Sequence, residues 1–400
     1  MRKINTRSFR LATRSTPREV NKQIVLNLIR EAQPISRAEL ARRMNVRRAS
    51  LTTIVRELLA AGDVEETGRA ASARGRRPTL LRIRTRGRLV VAVDVRPVRT
   101  NLALADFAGN VLERQWIETP KDPSFVADAI ARAARALLDA HDHVVEQEQC
   151  HGIGIVVPGM VDRKTGRVLY APRLAWRDVQ LREAVQAQTG LPAFVESAPI
   201  ACALARLWSF DGGARSASRV VNNFAYVSVS DGVGVGIVTR GEVMRGETNT
   251  AGELGHVSLD PSGPACACGR HGCWEAFSCN AATVARYGGG GRVSVEEIVR
   301  RAKQGEASAV ATLIETGRQI GRGLAAVINA FNPKRIYVGG EITAAWELIE
   351  APMREQLVAG TLTEATQRTP VYADANPGEY RLLGAVALVA APTFAAPRVA

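Results

Sequence analysis

Long apolar runs and a cysteine framework are both missing from this sequence of 400 residues. No stretch approaches the roughly 18 consecutive apolar residues that a membrane-spanning helix needs, so no membrane segment is expected. The first twenty residues are basic and lack the apolar core of a secretory signal, which predicts a cytoplasmic protein. Six cysteines are too few for a disulfide scaffold, so clustered cysteines would be metal ligands or reactive thiols.

Acidic residues are scarce only in the first part of the chain. Residues 1–88 contain 22 Lys and Arg against 7 Asp and Glu, a net charge of +15. Residues 89–400 contain 31 against 32, a net charge of −1. A basic module attached to a neutral body indicates a head that binds a polyanion, joined to a ligand-binding or enzyme domain. On charge alone, a solvated basic surface or a basic arm stays an alternative.

Three short helical patterns lie in the basic head. Apolar residues recur at helical spacing in residues 21–31, and Ser36 with Glu39 forms a capping-box pattern before residues 37–44. A third apolar stripe ends at Gly62. An alternation of apolar and basic residues then suits a two-stranded wing. This order predicts a winged helix-turn-helix domain over residues 1–85, which includes a basic N-terminal arm.

The second helix of such a pair lies in the major groove and reads bases with its N-terminal residues. Arginine suits guanine edges and phosphates, while serine and threonine reach either bases or phosphates. The predicted DNA contacts on this helix and on the wing are Arg47, Arg48, Ser50, Thr52, Thr53, Arg74, Arg76 and Arg77. A three-helix protein-interaction module with incidental arginines is the alternative.

The remaining chain, residues 86–400, alternates apolar strand patterns, glycine loops and helical patterns, which predicts an α/β body with parallel strands. Its length of about 310 residues favours two lobes. We expect lobe one at about 86–200 together with the C-terminal helix, and lobe two at about 201–385. The glycine-rich loop at residues 231–236 either cradles a phosphate or forms a tight hairpin, and Gly339-Gly340 has the same ambiguity.

Four potential metal ligands occur within 18 residues: His256, Cys266, Cys268 and Cys273. Three thiolates and one imidazole make a tetrahedral zinc set, and four protein ligands leave no open position, which favours one structural zinc ion per chain. His271 competes for the fourth place. A disulfide and an incidental thiol cluster stay alternatives. The isolated cysteines are interpreted as ordinary core residues: Cys150, Cys202 and Cys279.

Four segments resemble the ROK family (repressor, open reading frame, kinase), and in particular its transcriptional regulators. They are GIGIVVPG at 152–159, AGELGH at 251–256, CACGRHGCWE at 266–275 and NPKRIYVGG at 332–340. The resemblance covers nearly the whole chain and includes the GRRP before the last strand of the wing. It implies two α/β lobes of the actin and sugar-kinase type, with a sugar in the cleft between them.

The resemblance also assigns residues to two sites. It places the family's zinc ligands on the four residues already named, and its sugar-hydroxyl contacts on Glu253, His256 and Glu275. Carboxylate and imidazole groups suit sugar hydroxyls because they accept or donate hydrogen bonds. The zinc loop would then fix one wall of the sugar site.

Two departures from the family's kinases predict that catalysis is lost. Kinase members carry Asn-Asp where this chain has Ser197-Ala198, and alanine cannot act as the general base. Glu196 is adjacent, but we expect its side chain to point to the opposite face of the strand. The first phosphate loop, residues 94–100, reads DVRPVRT in place of the family's glycine-containing motif. Its proline removes a donor N–H.

The sequence therefore predicts a sugar-responsive transcriptional repressor that binds double-stranded operator DNA, and a homodimer or homotetramer is expected for a symmetric operator. Two other functions stay open. One is an ATP-dependent sugar kinase with an appended DNA-binding head. The other is a DNA-binding regulator whose effector is not a free sugar.

Overall fold

The structure of the chain is a computed structural model, which describes residues 18–69, 78–85, 87–141, 149–208, 221–288, 293–374 and 377–394. None of the described helices combines the length and apolarity that a bilayer crossing requires. Three groups of elements follow one another along the chain. They are a small N-terminal module and two five-stranded sheets with their helices.

The N-terminal module has the predicted winged-helix order. Its elements are α1 (Arg18–Ala32), β1 (Ile35–Ser36), α2 (Arg37–Met44), α3 (Arg48–Ala60), β2 (Val64–Arg69) and β3 (Thr79–Ile83). The strands form an antiparallel sheet in the order β1-β3-β2, so the predicted wing is confirmed. Buried Val25, Leu40, Leu51 and Leu58 hold the three helices together.

Local chemistry sets the boundaries of the helix-turn-helix. The Ser36 hydroxyl accepts a hydrogen bond from the Glu39 N–H at 3.2 Å, which caps the first turn of α2. The Glu39 carboxylate pairs with Arg42 and Arg43 on the next turn, and the structure shows only the Ser36 half of the predicted capping box. Asn45 ends α2 in the left-handed conformation (φ 52°), which asparagine tolerates.

The first large sheet has the order β11-β7-β4-β5-β6. Its strands are β4 (Arg88–Asp94), β5 (Arg99–Asp106), β6 (Val111–Glu118), β7 (Gln149–Val157) and β11 (Ala193–Ser197). Strands β4, β5 and β6 are antiparallel neighbours, and β7 and β11 extend the sheet in parallel. The predicted meander and the parallel character are therefore both present. A separate three-stranded sheet contains β8 (Met160–Asp162), β9 (Arg167–Ala171) and β10 (Trp176–Val179).

The second large sheet repeats the topology of the first, with the order β14-β13-β12-β15-β16. Its strands are β12 (Phe224–Val229), β13 (Val233–Thr239), β14 (Glu242–Val243), β15 (Ile336–Gly339) and β16 (Val371–Ala373). Here β12, β13 and β14 are antiparallel, and β15 and β16 are added in parallel. Two copies of one α/β topology agree with the expected actin and sugar-kinase type of body.

Helices cover both large sheets. They are α4 (Val126–Asp139), α5 (Leu181–Thr189), α6 (Ala198–Trp208), α7 (Trp274–Ser278), α8 (Asn280–Tyr287), α9 (Val295–Lys303), α10 (Ala307–Phe331), α11 (Trp346–Gly360), α12 (Glu364–Gln367) and α13 (Pro377–Phe394). Helix α13 packs on the first sheet, α6 packs on the second, and these two helices pack against each other. The α6–α13 pair therefore lies between the sheets. The lobe boundaries expected near residues 85, 200 and 385 stay predictions.

The glycine-rich segment at residues 231–236 forms a tight hairpin between β12 and β13. Gly234 and Gly236 lie within β13 and face α6. A Cβ atom on Gly236 would lie 2.3 Å from the Pro199 carbonyl oxygen, so this glycine allows close helix–strand packing. Gly340 has φ 119°, and a Cβ there would lie 1.6 Å from the Val229 carbonyl oxygen. Both glycine segments thus have a packing role in the fold.

Candidate ligand cleft and DNA-binding face

A cleft opens where strands of the two large sheets end. Its cavity volume is about 80 Å³, and the cleft is open to solvent. The first sheet contributes the loop after β7 and the junction of β11 with α6, at Ser197 and Ala198. The second sheet contributes the β12–β13 hairpin at Asp231 and Gly232. Polar side chains and backbone groups from both halves therefore face one space, as expected for a small polar ligand.

All three predicted sugar contacts line this cleft. Glu253 and His256 lie on a short 3-10 helix (Glu253–His256), and Glu275 lies on α7. Burial, and secondarily the nearby Glu275 carboxylate, raises the pKa of Glu253 to about 7. Near neutral pH this group can therefore accept or donate a hydrogen bond to a hydroxyl. The role of Glu253, His256 and Glu275 as sugar contacts stays a prediction.

Two arginines in the cleft were missed in the sequence analysis. Arg173 NH2 lies 3.6 Å from Glu275 Oε1, and the second Glu275 oxygen accepts a hydrogen bond from the Val233 N–H at 3.0 Å. Arg381 reaches the cleft from α13. Arg173 lies in a short 3-10 helix (Pro172–Leu174) after β9 and Arg381 lies inside α13, so no local pattern in the sequence distinguishes them from other arginines.

The four predicted metal ligands come together next to the cleft residues that are predicted to contact the sugar. The ligand atoms of His256, Cys266, Cys268 and Cys273 all lie within 4.8 Å of one another. Cys268 Sγ and Cys273 Sγ are 3.7 Å apart, and Cys266 Sγ is 3.7 Å from His256 Nδ1. Zinc–sulfur bonds of about 2.3 Å in a tetrahedron separate two sulfurs by about 3.8 Å, so the donor set and its spacing fit a zinc ion. The cluster can hold a metal.

The other predictions about cysteine and histidine have clear outcomes. His271 lies outside this cluster, with its Nδ1 3.4 Å from the Gly263 carbonyl oxygen. All six cysteines are free thiols. Cys202 and Cys279 are buried core residues as predicted, and burial raises the pKa of Cys202 to about 12. Cys150 is only half-buried, because it lies at the start of β7, at the end of the sheet.

An ion-pair network lies beside the cleft, in the segment where the resemblance places the first phosphate loop. Arg96 donates to Asp94 Oδ2 at 2.8 Å and to Glu341 Oε1 at 2.6 Å. Glu341 Oε2 accepts from Ser230 at 2.7 Å and from Asn280 at 3.0 Å. Burial would raise the pKa of Glu341, but Arg96 and these hydrogen bonds outweigh it and lower the pKa to about 2. The network joins the two sheets.

The position where the resemblance places the kinases' general base also lies in the cleft. Ala198 and Ser197 both line it, at the start of α6. Glu196 does not line the cleft. Its carboxylate is buried, accepts from the Ser197 N–H at 2.9 Å and pairs with Arg245. The nearest carboxylate in sequence is thus engaged elsewhere, in agreement with the expected direction of its side chain.

One face of α3 presents predicted DNA contacts to solvent. Arg47, at the N-cap, and Thr52 and Thr53 are exposed. Arg56 is exposed one turn later on the same face, and the helical spacing from Thr52 could have identified it. The wing residues Arg74, Arg76 and Arg77 lie outside the described residues, and so do the side chains of Arg48 and Ser50.

Comparison with known proteins agrees with this architecture. Residues 90–391 match the ROK family, and residues 23–69 match the MarR family. The chain is 27% identical to the xylose repressor of Bacillus subtilis, over 87% of this chain and 88% of that protein. It is 28% identical to the N-acetylglucosamine repressor of Escherichia coli O157:H7, over 82% of each chain.

The crystal structure of a ROK family transcriptional regulator, a homologue of the E. coli MLC protein, superposes with a TM-score of 0.75. The two chains are 28% identical, and the match covers 94% of this chain and 98% of that one. Similarity to named repressors over most of their length supports a regulator rather than an enzyme. The ROK match spans more than half of the chain, together with a winged helix at its N-terminus. The chain therefore belongs to the ROK family.

Proposed function

We propose that this protein is a sugar-responsive, DNA-binding transcriptional repressor of carbohydrate-metabolism genes. The observation that carries the proposal is the combination of an open polar cleft with an exposed recognition helix in one chain. Glu253, His256 and Glu275 would bind the sugar hydroxyls, and α3 with the wing would bind the operator. The relatives named for xylose and N-acetylglucosamine support a monosaccharide or a derivative as the effector.

The four-residue cluster would hold one structural zinc ion per chain. His256, Cys266, Cys268 and Cys273 supply a complete tetrahedral set, so the ion would cross-link the loop and leave no position for substrate. His256 belongs both to this set and to the cleft wall. Ordering of the loop by the metal would therefore fix part of the sugar site.

Loss of catalysis is proposed from two altered positions, one in the cleft and one beside it. Ala198 cannot remove a proton from an attacking hydroxyl, which typically costs about two to four orders of magnitude in rate. The Arg96–Glu341 ion pair would occupy the segment that holds a nucleotide phosphate in the family's kinases. We therefore propose a cleft that senses a ligand without phosphorylating it.

DNA binding is the basis for the proposed oligomeric state. A homodimer or homotetramer would place two winged helices on a palindromic operator, as two-fold symmetric DNA-binding proteins do. The protein would act in the cytoplasm. The basic charge of the head predicts an operator affinity that falls steeply with salt concentration.

The test begins with selection of operator sequences from random duplex DNA, followed by fluorescence anisotropy of the selected duplex. Xylose, N-acetylglucosamine, other monosaccharides and their phosphates are added at saturating concentration. We expect one sugar to change operator affinity at least tenfold without any ATP turnover. Hexose-dependent ATP hydrolysis would support the kinase function instead, and a response only to a phosphosugar or a protein would support the non-sugar effector.

The variant Arg56→Ala sharpens the DNA-binding test, with Arg318→Ala, an exposed arginine on α10, as its control. Loss of one phosphate contact should weaken binding to all sequences about equally and reduce the salt slope by about one. An Arg56→Ala variant with wild-type affinity and salt dependence would contradict the placement of this helix face on DNA.

A further inference from the structure

Arg30 is a buried arginine at the contact between the winged helix and the body. It lies on α1, and its Cζ atom is 4.3 Å from the centre of the Trp208 ring and 5.5 Å from the centre of the Phe394 ring. None of its side-chain nitrogens has a hydrogen-bond partner among the described residues. Its nearest carboxylate is that of Glu31, 3.7 Å away.

This environment is costly for a guanidinium. Burial of a charge without hydrogen bonds is unfavourable, and the two aromatic rings offset only part of that cost. Burial lowers the pKa of Arg30 to about 10, so the group remains a cation at neutral pH. An apolar side chain of similar length would pack here without this cost. Separation of the head from the body would return the guanidinium to water, which lowers the free-energy cost of opening this contact.

Trp208 and Phe394, whose rings contact Arg30, are the last residues of α6 and α13. Both helices also contribute residues to the cleft. Helix α6 starts at Ala198, in the cleft wall, and ends at Trp208. Helix α13 carries Arg381, which lines the cleft and donates to the Val95 carbonyl oxygen at 3.1 Å, and it ends at Phe394. At 1.5 Å per residue, each helix spans about 16 to 20 Å between the cleft and the ring that contacts Arg30.

The two helices are packed closely enough to move together. A Cβ atom on Gly384 of α13 would lie 2.6 Å from the backbone carbonyl carbon of Ala201 on α6, so their backbones are in direct contact. The end of α13 is also fixed to the head, because the buried Asn27 side chain donates a hydrogen bond to the Phe394 carbonyl oxygen at 2.8 Å. The α6–α13 pair thus has one end in the cleft and the other against α1.

We propose that Arg30 is the positioning residue that couples occupancy of the cleft to the winged helix, through its contacts with Trp208 and Phe394 at the ends of α6 and α13. A ligand that binds between Ser197-Ala198 and Arg381 would shift the helix pair and either tighten or release Arg30. The inference rests on the proposed function, because it concerns how that response is transmitted. The ligand must bind one arrangement of the helix pair better than the other.

The test compares the full-length protein with Arg30→Met, which keeps the length of the side chain and removes the charge. Three quantities are measured: the sugar Kd, and the operator Kd with and without the saturating sugar found in the screen above. We expect the sugar Kd of Arg30→Met to stay within threefold of wild type. The sugar-induced change in operator Kd, at least tenfold in wild type, should fall below threefold.

Arg18→Met is the matched control, because Arg18 lies on the same helix with its side chain exposed and should keep the full response. Phe394→Leu is the second variant and keeps the test valid if Arg30→Met does not fold. It should lose the response as Arg30→Met does, and the double variant should lose no more than either single one.

A full sugar response in folded Arg30→Met or Phe394→Leu would overturn the inference alone. A wild-type protein whose operator Kd is unchanged by every sugar tested would overturn the proposed function together with the inference. Loss of sugar binding itself in Arg30→Met would also overturn the inference, because Arg30 would then support the cleft rather than the coupling.

Discussion

Two groups of polar side chains, one in the cleft wall and one beside the cleft, differ in their partners. Glu253 and His256 line the cleft, and burial raises the pKa of Glu253 to about 7. Arg96 and Glu341 pair with each other beside the cleft and join the two large sheets. The first group can offer hydrogen bonds to a ligand, whereas the charges of the second group are already paired within the protein.

This difference separates binding from catalysis in one fold. A sugar kinase must bind a sugar and a nucleotide in the same cleft. In the function proposed above, the internal Arg96–Glu341 pair and Ala198 would leave a cleft that binds a ligand without transferring a phosphoryl group. Substitutions in the two groups should therefore have different effects on sugar affinity, and three of them test the comparison.

The largest effect is expected from loss of the proposed zinc ion next to the cleft. Cys268→Ser should release about one zinc ion per chain and weaken sugar binding at least a hundredfold, because the cysteine loop would lose its cross-link to His256 in the cleft wall. Elemental analysis and calorimetry measure the two quantities. Cys150→Ser, at an isolated thiol, is the control and should retain both. Elemental analysis that finds no zinc in the purified wild-type protein would refute the metal site.

A smaller effect is expected from the carboxylate of Glu253. Glu253→Gln keeps the shape of the side chain but removes the ability to form a charge-assisted hydrogen bond, which should weaken sugar binding about tenfold to a hundredfold. Calorimetric titration measures the change. Glu247→Gln, an exposed neighbour in sequence, is the control. Equal sugar affinity in wild type and Glu253→Gln would contradict the assignment of Glu253 as a sugar contact.

The smallest effect on sugar affinity is expected in the ion-pair network beside the cleft. There Glu341→Gln should change the sugar affinity less than threefold. Its effect should appear in stability instead. The pKa of Glu341 is lowered to about 2 in the fold from 4.5, so its ionised form stabilises the fold above about pH 4.5 and loses this contribution toward pH 2.

The contribution of Glu341 can reach about 3 kcal/mol in the free energy of unfolding. Urea titrations between pH 7 and pH 3 should therefore show wild type and Glu341→Gln converging as the pH falls. Glu350→Gln, at an exposed position on α11, should follow wild type throughout. A gap between wild type and Glu341→Gln that stays constant with pH would contradict the assigned pKa.

Much of the molecule followed from local patterns. The serine cap at Ser36, the apolar stripes of the head and the meander after residue 88 are consequences of residues close together in sequence, and the structure has all of them. The clustering of the four predicted metal ligands could also be predicted, because three of them fall within eight residues of the sequence. Arg56 was missed, although its spacing on the helix of Thr52 was available in the sequence.

Composition and short-range spacing account for the separation of charge between head and body, for the element types and for the four-residue His/Cys cluster. The packing of sheets and helices is what brings Arg96 to Glu341, 245 positions away, and Arg30 between Trp208 and Phe394. Contacts of that kind depend on how sheets and helices pack. An arginine carries no local mark of the distant carboxylate or ring against which it will be buried.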